Sequence, residues 1–104
     1  MRAWLVLLVV VPLAGCNATP DACAELPAQR GVVEAISGRD ATVRLDDGQP
    51  AVLHLSAVFV SEAGACTQMG PEAILVGDTL AFDVDAWAES YPMQGWPETT
   101  VVLR

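Results

Sequence analysis

The chain has no lysine. Its cations are five arginines, set against 13 acidic residues among 104, for a formal net charge of −8 at pH 7. A surface that tracks phosphates needs clustered cations, so nucleic-acid binding is excluded on charge alone. Histidine occurs once, at His54. The serines Ser37, Ser56, Ser61 and Ser90 stand outside any nucleophile-elbow pattern, so no Ser–His–acid triad is legible. A glycine-rich phosphate loop is missing. The acidic pairs Asp46-Asp47 and Asp83-Asp85 lack the glycine-rich oxygen-ligand spacing of a calcium loop. The expectation is a protein that is not an enzyme and holds no cofactor. Its apolar run, Ala3 to Leu13, is too short for a helix to span a bilayer core of about 30 Å. What the chain does have is aliphatic residues: 53% of it is hydrophobic and 17% charged. That composition excludes intrinsic disorder, and the length allows one small domain.

Met1-Arg2 followed by that apolar run has the make-up of a signal-peptide n-region and h-region. The run ends in Leu13-Ala14-Gly15-Cys16, which resembles the lipobox of bacterial lipoproteins. The resemblance implies that residues 1–15 are a lipoprotein signal peptide, removed before Cys16. It further implies that the Cys16 thiol takes a diacylglyceryl group and that its new amino group is acylated, with palmitate or a similar chain. Each buried methylene contributes about 0.8 kcal/mol, so several chains hold the protein permanently to membrane lipid. The predicted location is the cell envelope, facing the periplasm or cell exterior. Asn17, in place of the aspartate that favours inner-membrane retention in enterobacteria, leans towards the outer membrane.

With Cys16 assigned to lipid, Cys23 and Cys66 remain as an even pair in an oxidising compartment, and a disulfide between them is expected. The other reading, a redox or metal-binding thiol pair, would ordinarily show close spacing such as C-x-x-C.

Residues 16–30 read as the lipidated N-terminus and a tether, with prolines and no apolar period. Residues 31–104 read as the folded domain. Strands are predicted at Gly31–Ser37, Ala41–Leu45, Ala51–Val60, Thr79–Trp87 and Thr99–Leu103. Asp46-Asp47-Gly48 closes a hairpin, and Ser61–Val76 is a linking segment with a short helical turn around Pro71–Leu75. The class is all-β. The element order predicts a small five-stranded barrel like the oligonucleotide/oligosaccharide-binding (OB) fold. Gly31-Val32-Val33-Glu34-Ala35-Ile36 and Val76-Gly77-Asp78-Thr79-Leu80-Ala81-Phe82 are similar to the first strand and fourth-strand entry of bacterial periplasmic barrels of this kind.

The stretch Trp87 to Pro97 gathers Trp87, Tyr91, Met93 and Trp96 in the loop that borders the ligand cleft of such barrels. Aromatic rings offer flat apolar area at low entropic cost. Stacking without cations points to a protein, peptide or glycan ligand. The competing reading has these rings plug the end of the barrel. Trp96-Pro97-Glu98-Thr99-Thr100 also resembles part of a periplasmic copper-chaperone family, which implies Cu(I) held by thioethers and a histidine. Thr99 and Val101 stand where those thioethers would be. A rescued site would draw on His54, Met69 and Met93. His54 alternates with Leu53 and Leu55, which predicts a solvated ring on the outer face of its strand. The leading expectation is a non-catalytic envelope binding module with no metal. The alternatives are a copper-handling protein and a purely structural subunit of an envelope complex.

Overall fold

The computed structural model describes residues 21–104, so the signal segment, the lipobox and Cys16 lie outside the described residues. The described chain is all-β. Eight strands form one sheet: β1 (Gln29–Ser37), β2 (Asp40–Leu45), β3 (Pro50–His54), β4 (Val58–Glu62), β5 (Ala65–Met69), β6 (Thr79–Phe82), β7 (Met93–Gly95) and β8 (Thr100–Leu103). Their spatial order is β5-β4-β8-β6-β1-β2-β3-β7. Among the described residues, the helical elements are α1 (Asp21–Ala24) and a single 3-10 turn, Pro71–Ala73.

Local chemistry sets the hairpins. β1 turns into β2 through Gly38 and Arg39, with Gly38 at φ 61°, a conformation glycine adopts without cost. β2 turns into β3 at the Asp-Gly signal. The Gly48 N–H donates to the Leu45 carbonyl, and the Asp47 carboxylate accepts from the Gln49 N–H. Along these strands the side chains alternate. Val33, Ala41, Val43, Ala51 and Leu53 are buried, while Thr42, Arg44, Val52 and His54 face the other way. Leu80 and Phe82 of β6, Val58 and Val60 of β4, and Val102 of β8 complete the core.

The expected five-stranded barrel is corrected in count and closure. The sheet has eight strands, and its ladder ends at β5 and β7 without closing into a barrel. The predicted strand Ala51–Val60 is two strands, and burial explains the break. Leu53 and Leu55 are buried at odd positions, Val58 and Val60 at even ones, with Ser56 and Ala57 exposed between them. A period-2 ladder cannot carry both phases. The Leu55 N–H still donates to the Arg39 carbonyl in the β2–β3 register, so the break falls after it, at Ser56 and Ala57. The predicted strand Thr79–Trp87 stops at Phe82 because Asp83 takes up the chain beyond β7. Its carboxylate accepts from the Thr99 N–H at 2.7 Å, and its carbonyl accepts from the Glu98 N–H.

Two strands stand where connecting chain is predicted. β5 forms a hairpin with β4 through Ala63 and Gly64, both at positive φ. β7 pairs parallel with β3. The end of the expected tether also carries structure, in α1 and in β1, which starts at Gln29 rather than Gly31. The Gln29 side-chain oxygen accepts from the Val84 N–H. The Cys23–Cys66 disulfide ties α1 to β5, with Cα atoms 6.1 Å apart at a sequence separation of 43.

Candidate functional site

The side chains with the most chemistry gather on the outer face of β2, β3 and β7. The hairpin register sets Asp40 opposite His54 and Thr42 opposite Val52, and the parallel pairing of β7 sets Gln94 beside Val52. Both nitrogens of His54 are engaged. Nδ1 lies 2.9 Å from Asp40 Oδ1, and Nε2 lies 2.8 Å from Gln94 Oε1. The indole of Trp96 stacks on the imidazole, with centroids 4.7 Å apart and planes at 21°. With an oxygen acceptor at each nitrogen, both bonds form only when both nitrogens carry protons, so the arrangement suits the imidazolium. The pKa of His54 is raised above its ordinary value. The hydrogen bond to Gln94 is the largest cause, partial burial opposes it, and the bond and charge of Asp40 add to it. A stacked indole favours the cation further.

The aromatic segment divides between inside and outside. Trp87 is half-buried, edge-on to Phe82 at 6.2 Å, and packs against the core. It lies so close to Gly95 that a Cβ there would meet its ring at 2.8 Å, so any larger residue at 95 would force the indole to shift. Met93 also packs against the core. Trp96 is 59% exposed and Tyr91 89% exposed. The sequence therefore names four candidate contact residues, of which the structure turns two outward and uses two as packing.

The copper set is not brought together. Met69 is on β5, paired with Val58, and Met93 is on β7, paired with Ala51, at opposite ends of the strand order. Both nitrogens of His54, the remaining donor, already face oxygen partners. Among the described residues, no three His, Cys, Asp or Glu side chains are placed to hold a metal.

Among the described residues, neither His54 nor Trp96 lines the two clefts nearest in size to a ligand site. One cleft, of about 450 Å³, is lined by Arg39, Ser56, Ala57, Met69 and neighbouring residues. Another, of about 320 Å³, sits beside Gln29, Leu45, Phe82 and Trp87. Further along β2, on the same face as Thr42, Arg44 donates to Glu34 of β1 at 2.7 Å. Glu34 is the residue left out of the ladder where the β1–β2 register shifts between Val33 and Ala35.

The chain matches no family model, no curated protein and no solved structure. Its site is therefore argued from its own geometry.

Asp40 and Gln94 are hydrogen-bond partners of His54 that the sequence analysis does not single out. The Asp40–His54 pair was legible, because a turn pairing Leu45 with Gln49 carries that register outward to 40 and 54. Gln94 was not, because nothing local marks a three-residue parallel strand such as β7.

Proposed function

We propose that the protein is a membrane-anchored bacterial lipoprotein, held by acylated Cys16, whose domain acts as a non-catalytic binding module of the cell envelope. The ligand meets the outer face of β2, β3 and β7 at Trp96 and Tyr91. One observation carries this reading: of the aromatic segment's four large side chains, Trp96 and Tyr91 remain outside although Trp87 and Met93 show that the core accepts such groups. Trp96 is also held in one orientation by stacking on a doubly hydrogen-bonded histidine. A preordered aromatic ring loses little entropy when a ligand stacks on it. The acidic surface, without lysine, disfavours polyanions and suits an uncharged glycan, peptide or protein surface.

The OB-like architecture belongs to the same proposal. If β3 and β4, separated only by residues 55–57, count as one bent strand, the chain keeps the five-strand order β1, β2, β3/β4, β6, β8 of that fold, in a sheet whose ladder stays open between β3 and β4. The parallel pairing of β4 with β8 supports that order. OB folds bind ligands on the face of their second and third strands, and by strand order the counterparts here are β2 and β3, which carry Asp40 and His54.

The test has two parts, each performed on the full chain in its own host. Intact mass of the membrane-purified protein should equal residues 16–104 plus diacylglyceryl and acyl groups, less two hydrogens. An unlipidated mass ends the anchoring claim. A photo-crosslinking residue at position 91 or 96 should give one discrete adduct in the envelope, and one at the exposed position 72 should give none. Equal labelling from all three positions overturns the binding face.

A further inference from the structure

The geometry points to a proton-controlled clamp on the contact face: protonated His54 holds Trp96 flat against the sheet, and loss of that proton releases it. The inference rests on the proposed role of Trp96 as a contact residue and concerns how that residue is regulated.

The clamp joins three strands that are distant in sequence. His54 is on β3, Asp40 on β2 and Gln94 on β7, and Trp96 follows β7 by one residue. Asp40 bonds Nδ1 and Gln94 bonds Nε2, so the ring cannot rotate without losing a partner. Trp96 then has a rigid imidazolium beneath it at 4.7 Å. Deprotonation leaves a lone pair on one nitrogen. At Nε2 that lone pair faces the Gln94 oxygen, so the bond breaks or the amide must turn over. The cation beneath the indole disappears in the same step. β7 is only three residues long. Besides its ladder to β3, its backbone is held by the bridge between Ala88 and Gln94. Gly95 is anchored beneath Trp87, but Gln94 and Trp96 on either side of it have their side chains on the outer face, where the His54 contacts hold them.

Few charges compete for control. Asp40 on β2 is the charged group against the ring, and β7 contributes the neutral Gln94. Arg39, next to Asp40, lines the cleft with Ser56 and Met69. Arg44, further along β2, is engaged with Glu34. Glu98, beyond Trp96, is exposed, and its backbone is tied to Asp83. The raised pKa of His54 agrees with this geometry. The clamp is closed in acid and opens as the pH rises past the unperturbed value of 6.5 and through the higher folded value.

His54 is the chain's sole histidine, so its ring resonances are unambiguous. The detergent-solubilised, membrane-purified protein is titrated by NMR, and tryptophan emission is followed in parallel against a W96F variant. The midpoint of His54 should lie above 6.5. It should fall in D40N and in Q94L, and rise further in Q94E. The Trp96 contribution to the emission should be quenched below that midpoint and recover through it. A midpoint at or below 6.5, or Trp96 emission unchanged while His54 titrates, overturns the clamp. Both measurements need no ligand. If the crosslinking at 91 and 96 fails while the coupled titration succeeds, only the binding reading falls.

Discussion

Asp40 and His54 are 14 residues apart in sequence, and the register of the β2–β3 hairpin brings Oδ1 and Nδ1 to 2.9 Å. The pair converts a turn signal at Asp47-Gly48 into a hydrogen bond on the outer face of β2 and β3. Its energetic effect follows from linkage. The folded-state pKa of His54 is raised, so its contribution to stability is fully present below the unfolded value of 6.5 and is lost as pH rises through the folded value. Urea midpoints should therefore fall across that interval in the wild type. In H54Q the same decrement should be missing.

Acid acts on a different corner. Asp78 accepts from the Leu75 N–H at 2.8 Å and from Arg104 at 2.8 Å. Burial pushes its pKa up, but the bonds to Arg104 and Leu75 and the arginine's charge outweigh burial and leave it lowered from 3.8. That contribution is present above the unfolded value and is lost as pH falls through the folded one. D78N should lower stability by about 1 kcal/mol at neutral pH, in line with loss of a hydrogen bond to a charged group. In strong acid the variant and the wild type should converge.

The two tryptophans of the aromatic segment should behave oppositely. W87A removes a half-buried ring packed on Phe82 and Gly95, and should cost about 2–4 kcal/mol in urea unfolding, below the range for a fully buried ring. W96A removes a mostly exposed ring and should stay within about 1 kcal/mol. If the two costs are equal, the division between packing and contact residues is wrong.

The Cys23–Cys66 bridge closes a long loop in a small domain. Loop-closure entropy values such a link at about 4 kcal/mol. Reduction should lower the urea midpoint accordingly. Thiol titration of the denatured, unreduced protein should find neither cysteine reactive. Two free thiols would sink the assignment.

A C16S variant should leave the membrane fraction and appear in the soluble envelope fraction. Retention on the membrane would falsify the lipobox reading.

How much of this was legible in the sequence varied with the physical signal. Alternation in Ala41–Leu45, the Asp-Gly turn and the even cysteine pair each rest on local chemistry, and the structure has the corresponding elements. The phase change from Leu53/Leu55 to Val58/Val60 was also present in the text, yet it lies inside one continuous apolar run and was read as a single strand. β5 escaped notice because its residues are almost all exposed and its turn begins with Ala63 at positive φ, a poor turn former. β7 owes its existence to pairing with β3 and to Gly95 admitting Trp87, both long-range facts. The same holds for the site. His54 on an outer face was legible from its neighbours. Its engagement by Gln94 and Trp96 depended on a strand that no local pattern announces.

The disulfide also sets a load path. A pull on the chain ahead of Asp21 meets Cys23 before it reaches Gln29, where β1 begins. At Cys23 the tension divides, and part passes through sulfur into Cys66 on the edge strand β5. β1 lies deep in the strand order, between β6 and β2, and would otherwise take the whole force at its first residue. With the bridge intact, such a pull strains the sheet's rim as well as its middle. In its reduced form, β1 alone would bear the full pull.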